Sequence, residues 1–191
     1  LANRSPEKAL ALAQALEAQV SDNQELAKEA DFIVLGVKPQ LMEEVLAQIS
    51  PVLALRKSPF LLVTMATGLT IARIRELAGR SYPVIRIMPN TPVSIGAGMV
   101  QYACSENVAD SDLQAFLEAF AWAGRFSSIP EFRMGAGSAV SACGPAFADI
   151  FLEAMADGGV ACGLSREQAM ELAAQMLLGT AKLALESGQH P

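Results

Sequence analysis

Four short segments of this 191-residue chain combine groups that can hold a ligand with backbone that can approach one. The first is Gly36-Val37-Lys38-Pro39, at the end of an apolar run. Gly36 admits close backbone approach and Pro39 suits the first turn of a following helix. A plain strand-to-helix turn is the alternative. The second is Met88-Pro89-Asn90-Thr91-Pro92, where two prolines stiffen an Asn that can bond local backbone or a ligand amide. A rigid structural turn is the alternative. The third is Ser141-Ala142-Cys143-Gly144-Pro145-Ala146-Phe147. Small residues there precede a helix start, whose unpaired N–H groups can hold an anion such as a carboxylate. Close helix packing through the same small residues is the alternative. The fourth is Asn3-Arg4-Ser5, after Leu1-Ala2, which reads as the tail of a strand. In dinucleotide-binding folds an acid at this point accompanies a free ribose 2′-hydroxyl, whereas an Arg accommodates a 2′-phosphate. This segment lacks the acid and has the Arg, with a solvated surface charge as the alternative.

Other chemistries are set aside. The single histidine, His190, is penultimate, which excludes a His-rich metal site and argues against a Ser-His-Asp triad. Cys104, Cys143 and Cys162 form no C-x-x-C pair, so neither a zinc site nor a disulfide framework is indicated, and buried, reduced thiols of a cytoplasmic protein are expected. No metal and no catalytic side chain are assigned: no titratable group has the placement of an obvious general acid, leaving water or a group outside these residues to supply a proton. A net charge of −6 and a pI near 4.8 argue against nucleic acid or an anionic membrane as partner. No signal peptide opens the chain. The least charged stretch, 134–164, is interrupted by Asp149, Glu153, Asp157 and several glycines and is not read as a membrane span.

The elements that position these segments follow from patterning. Ser5-Pro6-Glu7 supplies an N-cap, a first-turn proline and a first-turn acid, and Ala9, Leu10, Leu12, Ala13 and Leu16 give a mostly apolar helical face. Asp22 with Glu25 starts a second, short helix. The run 32–37 predicts a strand buried on both faces, 40–49 a helix, and 60–65 a second buried strand. Thr70 caps a helix ending near Gly79, 84–88 and 99–104 are strands, 111–123 is a helix, and 126–129 is a short strand. Alternating strands and helices predict a mostly parallel, doubly wound sheet, with ligands beyond the carboxyl ends of its strands. That rule selects the loops after Val37, Met65 and Met88. After about residue 130 the pattern turns helical: Gly144-Pro145 opens a long apolar helix, and Ser165 with Gln168 forms a capping box for another to about Ser187. Apolar positions cover much of that last helix, so it packs on more than one neighbour, in its own chain or a partner's. Apolar residues make up 52% of the chain, charged residues 18%, and alanine accounts for 33 positions. That composition suits close-packed helices with apolar surface left for a partner.

The order Asn-Arg-Ser, Asn23, Val-Lys-Pro-Gln, Met-Ala-Thr-Gly, Met-Pro-Asn-Thr-Pro and Cys-Gly-Pro-Ala-Phe resembles the pyrroline-5-carboxylate reductase family of proline biosynthesis. Ala156-Asp157-Gly158-Gly159-Val160, Gly163-Leu164 and Glu186-Ser187-Gly188-Gln189-His190-Pro191 look like the same family, so the resemblance runs the length of the chain. It implies a Rossmann-type α/β domain over 1–129 and an all-helical dimerisation and substrate domain over 130–191. It further implies reduction of 1-pyrroline-5-carboxylate to L-proline, NADPH as the preferred cofactor with NADH as the alternative, and a homodimer or higher homo-oligomer. Hydride would reach the carbon of the C=N bond, and the ring nitrogen would end protonated. By the same resemblance Asn3, Arg4 and Ser5 surround the 2′-phosphate and Asn23 lies near the adenosine. Gly36, Val37, Lys38, Pro39, Met65 and Ala66 line the cofactor, Met88, Pro89 and Asn90 sit near the nicotinamide, and Ser141, Ala142, Cys143, Gly144 and Pro145 approach the substrate.

The chain departs from the family in four places. The family opens with a strand and a glycine-rich phosphate loop, and closes with a Ser-Pro-Gly-Gly-Thr-Thr loop for the substrate carboxylate; neither lies within these residues. Ala142-Cys143 replaces a frequent Gly-Ser pair, and Met134-Gly135-Ala136-Gly137-Ser138 replaces a more polar sequence; the extra glycines of this chain, Gly135 and Gly137, are expected to loosen the start of the helical domain. Taken alone, these 191 residues are expected to lack turnover. A non-catalytic dimerising derivative of the reductase is one alternative. A related Rossmann oxidoreductase acting on a hydroxy acid is another, weakened because the only Lys after residue 57 is Lys182, late in the final helix.

Overall fold

A computed structural model describes residues 1–188 and 190; Gln189 and Pro191 of the C-terminal motif lie outside the described residues. The chain divides into two compact units, Leu1–Ser138 and Ala139–Pro191. The change of pattern near residue 130 precedes this division, because Met134 is 1% exposed within the core of the first unit.

The first unit holds a five-stranded sheet in the order β1 (Phe32–Leu35), β2 (Leu61–Thr64), β3 (Val84–Met88), β4 (Gly98–Cys104), β5 (Gly124–Ser128). β1, β2 and β3 are parallel, β4 runs antiparallel to β3, and β5 is parallel to β4. Alternation along the strands supplies two cores. Ile33, Leu35, Leu62 and Val84 face one side with Met42, Leu46, Ile49 and Leu53 of α3 (Met42–Leu55) and Ile71 and Ile74 of α4 (Ile71–Ala78). Leu61, Val63, Ile85 and Ile87 face the other with Phe116 of α5 (Asp110–Ala119). Helices on both faces of a largely parallel sheet make the unit doubly wound.

Local chemistry sets the helix starts. Pro6 begins α1 (Pro6–Ala15) after Ser5, Asp22 Oδ1 accepts from Glu25 N at 2.8 Å to open α2 (Asn23–Glu29), and Thr70 Oγ1 accepts from Arg73 N at 3.2 Å at α4. Gly79 closes α4 at φ +74°, a conformation that favours glycine.

Four expectations are corrected. β1 is not buried on both faces: it is the end strand of the order, and Val34 is 43% exposed. The strand also stops at Leu35, two residues early. α3 passes through Pro51 to Leu55, because Leu53 is 1% exposed in the core and that burial outweighs the backbone bond proline forfeits. The glycines before residue 139 do not loosen the chain: they lie in α6 (Met134–Ser141), where Met134 is anchored in the core and a Cβ on Gly137 would collide with the Gln101 carboxamide. The three cysteines are exposed rather than buried.

The second unit carries α7 (Gly144–Ala161) and α8 (Arg166–Ser187), joined by a turn with Gly163 at φ +100°. Ser165 and Gln168 form the expected capping box. The seam is built from small residues: Ala156, Ala169 and Ala173 are buried, and a Cβ on Gly159 would lie 3.0 Å from that of Ala169. By length and composition alone Glu131–Ala161 would pass for a membrane span, but the helix is interrupted at Ala142-Cys143.

Candidate functional site

The register brings the selected loops to one edge. Leu35 lies opposite Thr64 and Thr64 opposite Arg86, so the chain leaves β1, β2 and β3 on the same side of the sheet. Gly36-Val37-Lys38-Pro39, Met65-Ala66 and Met88-Pro89-Asn90 therefore emerge side by side, where parallel α/β sheets bind ligands.

After β1, Gly36 N donates to Val34 O at 3.1 Å and Pro39 opens a 3-10 turn into α3. Gly36 has no positive φ, and a Cβ there would meet nothing within 4 Å. Neither backbone strain nor internal packing requires glycine at this position, so its small size leaves open space at the strand end. Lys38 is exposed. After β2, Thr64 is buried and its Oγ1 accepts from Ala66 N at 3.3 Å, Ala66 is buried, and Met65 is partly exposed. After β3, Met88 packs against the α3–α4 core, and Asn90 Oδ1 accepts from Met99 N at 2.9 Å. Of the two roles left open for Asn90, the bond to local backbone is present.

The Asn3-Arg4-Ser5 segment is a tight turn: Asn3 Oδ1 accepts from Ser5 N at 3.0 Å. Ser5 is the N-cap residue of α1, yet its side chain makes no capping bond. Arg4 is exposed, and among the described residues neither Arg4 nor Lys38 has an ion-pair partner. Leu1 lies beside Val20, donating to Gln19 O and accepting from Ser21 N at 2.9 Å, which fixes the turn relative to the chain leading into α2. Asn23 Nδ2 donates to Gln48 Oε1 at 2.9 Å, joining α2 to α3.

In the second unit, Ser141 ends α6, Ala142 and Cys143 form the break, and Gly144 and Pro145 begin α7. Cys143 and the first turn of α7 thus present a helix N-terminus, as the sequence indicates.

Sequence reasoning missed Arg86 and Glu131. Arg86, 9% exposed within β3, pairs with Glu131 through Nη1 and Oε1 at 2.9 Å, and Glu131 Oε1 also accepts from Ile71 N at 2.7 Å. The available signal was a lone charge inside the apolar strand Val84-Ile85-Arg86-Ile87-Met88; its partner lies too far along the chain to be read by pattern. A concavity beside α4, lined in part by Ile71 and Glu131 themselves, also holds Arg75 and Glu106, bound to each other at 2.6 Å. The hydrogen bond from Arg75 holds the Glu106 carboxyl below its ordinary range. Partial burial pushes the Cys104 thiol up. Among the described residues no His, Cys, Asp and Glu side chains cluster as metal ligands.

A doubly wound α/β unit with ligand-sized loops at its carboxyl edge, followed by a helical unit, defines the class: a Rossmann-type protein with an appended helical domain. Residues 131–191 match the family described as pyrroline-5-carboxylate reductase dimerisation, and residues 1–68 match NADP oxidoreductase coenzyme F420-dependent. The chain is 37% identical over 188 residues to the pyrroline-5-carboxylate reductase of Escherichia coli, covering 98% of this chain and 69% of that protein. It is 39% identical over 170 residues to that of Synechocystis, covering 89% of this chain and 62% of that protein. The Plasmodium falciparum pyrroline carboxylate reductase crystal structure with NADP bound superposes with a TM-score of 0.83 at 32% identity, covering 98% of this chain and 68% of that one. The chain belongs to the pyrroline-5-carboxylate reductase family, and it spans about three fifths of the length of the Synechocystis relative.

Proposed function

We propose that the protein reduces 1-pyrroline-5-carboxylate to L-proline with NADPH, NADH serving as the alternative cofactor. The observation that carries this reading is the convergence of the loops after β1, β2 and β3 on one sheet edge in a chain of this family. The residues fit a phosphorylated dinucleotide: a glycine at open space, an exposed Arg without an ion partner among the described residues, and a hydroxyl that does not cap its own helix.

In this reading residues 1–129 bind the cofactor. Arg4 and Ser5 hold the 2′-phosphate, with Asn3 setting the turn, and Asn23 lies near the adenosine. Gly36, Val37, Lys38, Pro39, Met65 and Ala66 line the dinucleotide, Gly36 giving it backbone access and Lys38 a positive field. Met88, Pro89 and Asn90 border the nicotinamide, where the methionine excludes water and the Asn90–Met99 bond stiffens the loop. When bound, the cofactor supplies hydride to the ring carbon of the C=N bond, and the nitrogen takes a proton from solvent or from a group outside these residues. Residues 130–191 serve the substrate and the assembly: Ser141, Ala142, Cys143, Gly144 and Pro145 offer the α7 N-terminus to the substrate carboxylate.

The same helical unit associates with a second copy, forming a homodimer or higher homo-oligomer in the cytoplasm. Its fully buried described side chains are alanines, while Phe147, Ile150, Leu172 and Leu183 are each more than 60% exposed. So much exposed apolar surface on two helices calls for a partner surface. The test is NADPH oxidation by the full-length protein, dependent on pyrroline-5-carboxylate and yielding L-proline. Absence of imine-dependent oxidation would overturn the reading.

A further inference from the structure

We infer that Glu131 is a positioning residue that fixes the spacing between two of the cofactor loops, an inference that rests on the reading above. Its Oε1 atom accepts two bonds from different parts of the sheet edge. One comes from Ile71 N, the first residue of α4 and the end of the loop that begins at Met65. The other comes from Arg86 Nη1, two residues before Met88. A single carboxylate oxygen therefore ties together the loop after β2 and the strand that delivers the loop after β3.

The tie is stiff for three reasons. Both partners are backbone or buried: Arg86 is 9% exposed, its side chain 11%, and that of Glu131 28%. A charge-assisted bond inside such a site is shorter and stronger than a neutral one. Ile71 N is also one of the orphan donors at the positive end of α4, which a carboxylate satisfies in place of water. Thr70 already caps Arg73 N, so Glu131 takes a different donor of the same turn, and removing it leaves that cap intact. The role is therefore not simply to form α4. Arg86 Nε has no hydrogen-bond partner among the described residues, and the charge of the guanidinium is paired by Glu131. Loss of the carboxylate would free both Arg86 and the α4 start to shift relative to each other.

The experiment uses the full-length protein and reads the NADPH dissociation constant from cofactor fluorescence, the KM for the imine and the melting temperature. Glu131→Gln keeps an oxygen acceptor for both donors and is expected to bind NADPH within about threefold of wild type. Glu131→Ala removes the tie and is expected to weaken NADPH binding about tenfold while the KM for the imine changes less than about twofold. Because Glu131→Ala strands a buried Arg, the pair Arg86→Leu with Glu131→Leu is measured as well; it removes the tie without an unpaired charge and is expected to show the same selective loss. Equal NADPH binding in wild type and any folded variant lacking the tie overturns the inference and leaves the proposed function standing. A wild type that binds no NADPH overturns both. A loss that falls equally on both ligands, or that Gln fails to rescue, also overturns it, because a merely structural role would give that pattern.

Discussion

Replacing Arg4 with Ala tests the assignment of the 2′-phosphate contact, and the structure sets the size of the effect. Arg4 is exposed, sits in a turn held by the Asn3–Ser5 bond, and has no ion partner among the described residues, so it is available to a ligand without first breaking a contact. Two unit charges about 4 Å apart in a water-like dielectric interact by about 1 kcal/mol. A phosphate monoester carries a charge of about −1.5 to −2, which brings the term to about 2 kcal/mol. Contact at about 4 Å lies inside the screening length of about 8 Å at physiological salt, so most of it survives. That corresponds to about a 30-fold rise in the KM for NADPH. NADH has no 2′-phosphate, and its KM is expected to stay within about twofold. Arg4→Lys keeps a point charge but loses the planar fork, so it should fall between. Added salt should erode the preference for NADPH in the wild type and leave Arg4→Ala unchanged. Steady-state kinetics with each cofactor on the full-length protein give the answer, and an equal change for NADPH and NADH would refute the reasoning.

Three further outcomes are expected. Arg56, its side chain 4% exposed, donates to Ala27 O, Ala30 O and Pro59 O and lies 5.0 Å over the Phe60 ring, so it caps the end of α2 and holds it to the chain after α3. Arg56→Ala should cost about 3 kcal/mol and lower the melting temperature by about 6–12 °C, and a loss below about 1 kcal/mol in urea titration would count against it. Glu106 has its carboxyl depressed by the Arg75 hydrogen bond, so its contribution is present above the ordinary glutamate range and is lost as pH falls through its folded value. Thermal melts should show wild type above Glu106→Gln at neutral pH and the gap closing on acidification; a gap independent of pH would contradict the pairing. Ile150→Asp or Leu183→Asp should weaken self-association about 10- to 100-fold in light scattering while leaving helix content unchanged, and an unaltered mass would remove these faces from the interface.

What was legible in the sequence is what short-range chemistry decides. Asp22, Thr70 and Ser165 are caps because one side-chain oxygen meets an N–H three residues on, and all three form as read. The buried strands declare themselves by apolar runs, and β3 begins and ends where the pattern does. The exposure of Val34 was not legible, since an apolar run reports that a strand suits burial and not whether another element covers it. α6 was missed for a related reason. Its glycines argue against a helix locally, but Met134 in the core and the approach of Gly137 to Gln101 are tertiary facts. Pro51 was overruled in the same way by the burial of Leu53.

The candidate site divides along the same line. Each loop could be chosen from its own residues, because the rule for parallel sheets points to strand ends, and the register then makes three separate choices into one edge. What holds that edge in shape is not local. Glu131 meets Ile71 and Arg86 across separations of 60 and 45 residues. No periodicity spans such distances; the only trace in the sequence is a charge, Arg86, where the strand pattern calls for an apolar residue. A buried charge of that kind requires an opposite partner somewhere in the fold, because leaving it unpaired costs more than a strand of this length could offset. The exception to the pattern, Arg86, therefore marks a position whose partner must come from elsewhere in the fold, while the residues that fit the pattern mark only the place of the loops on the sheet.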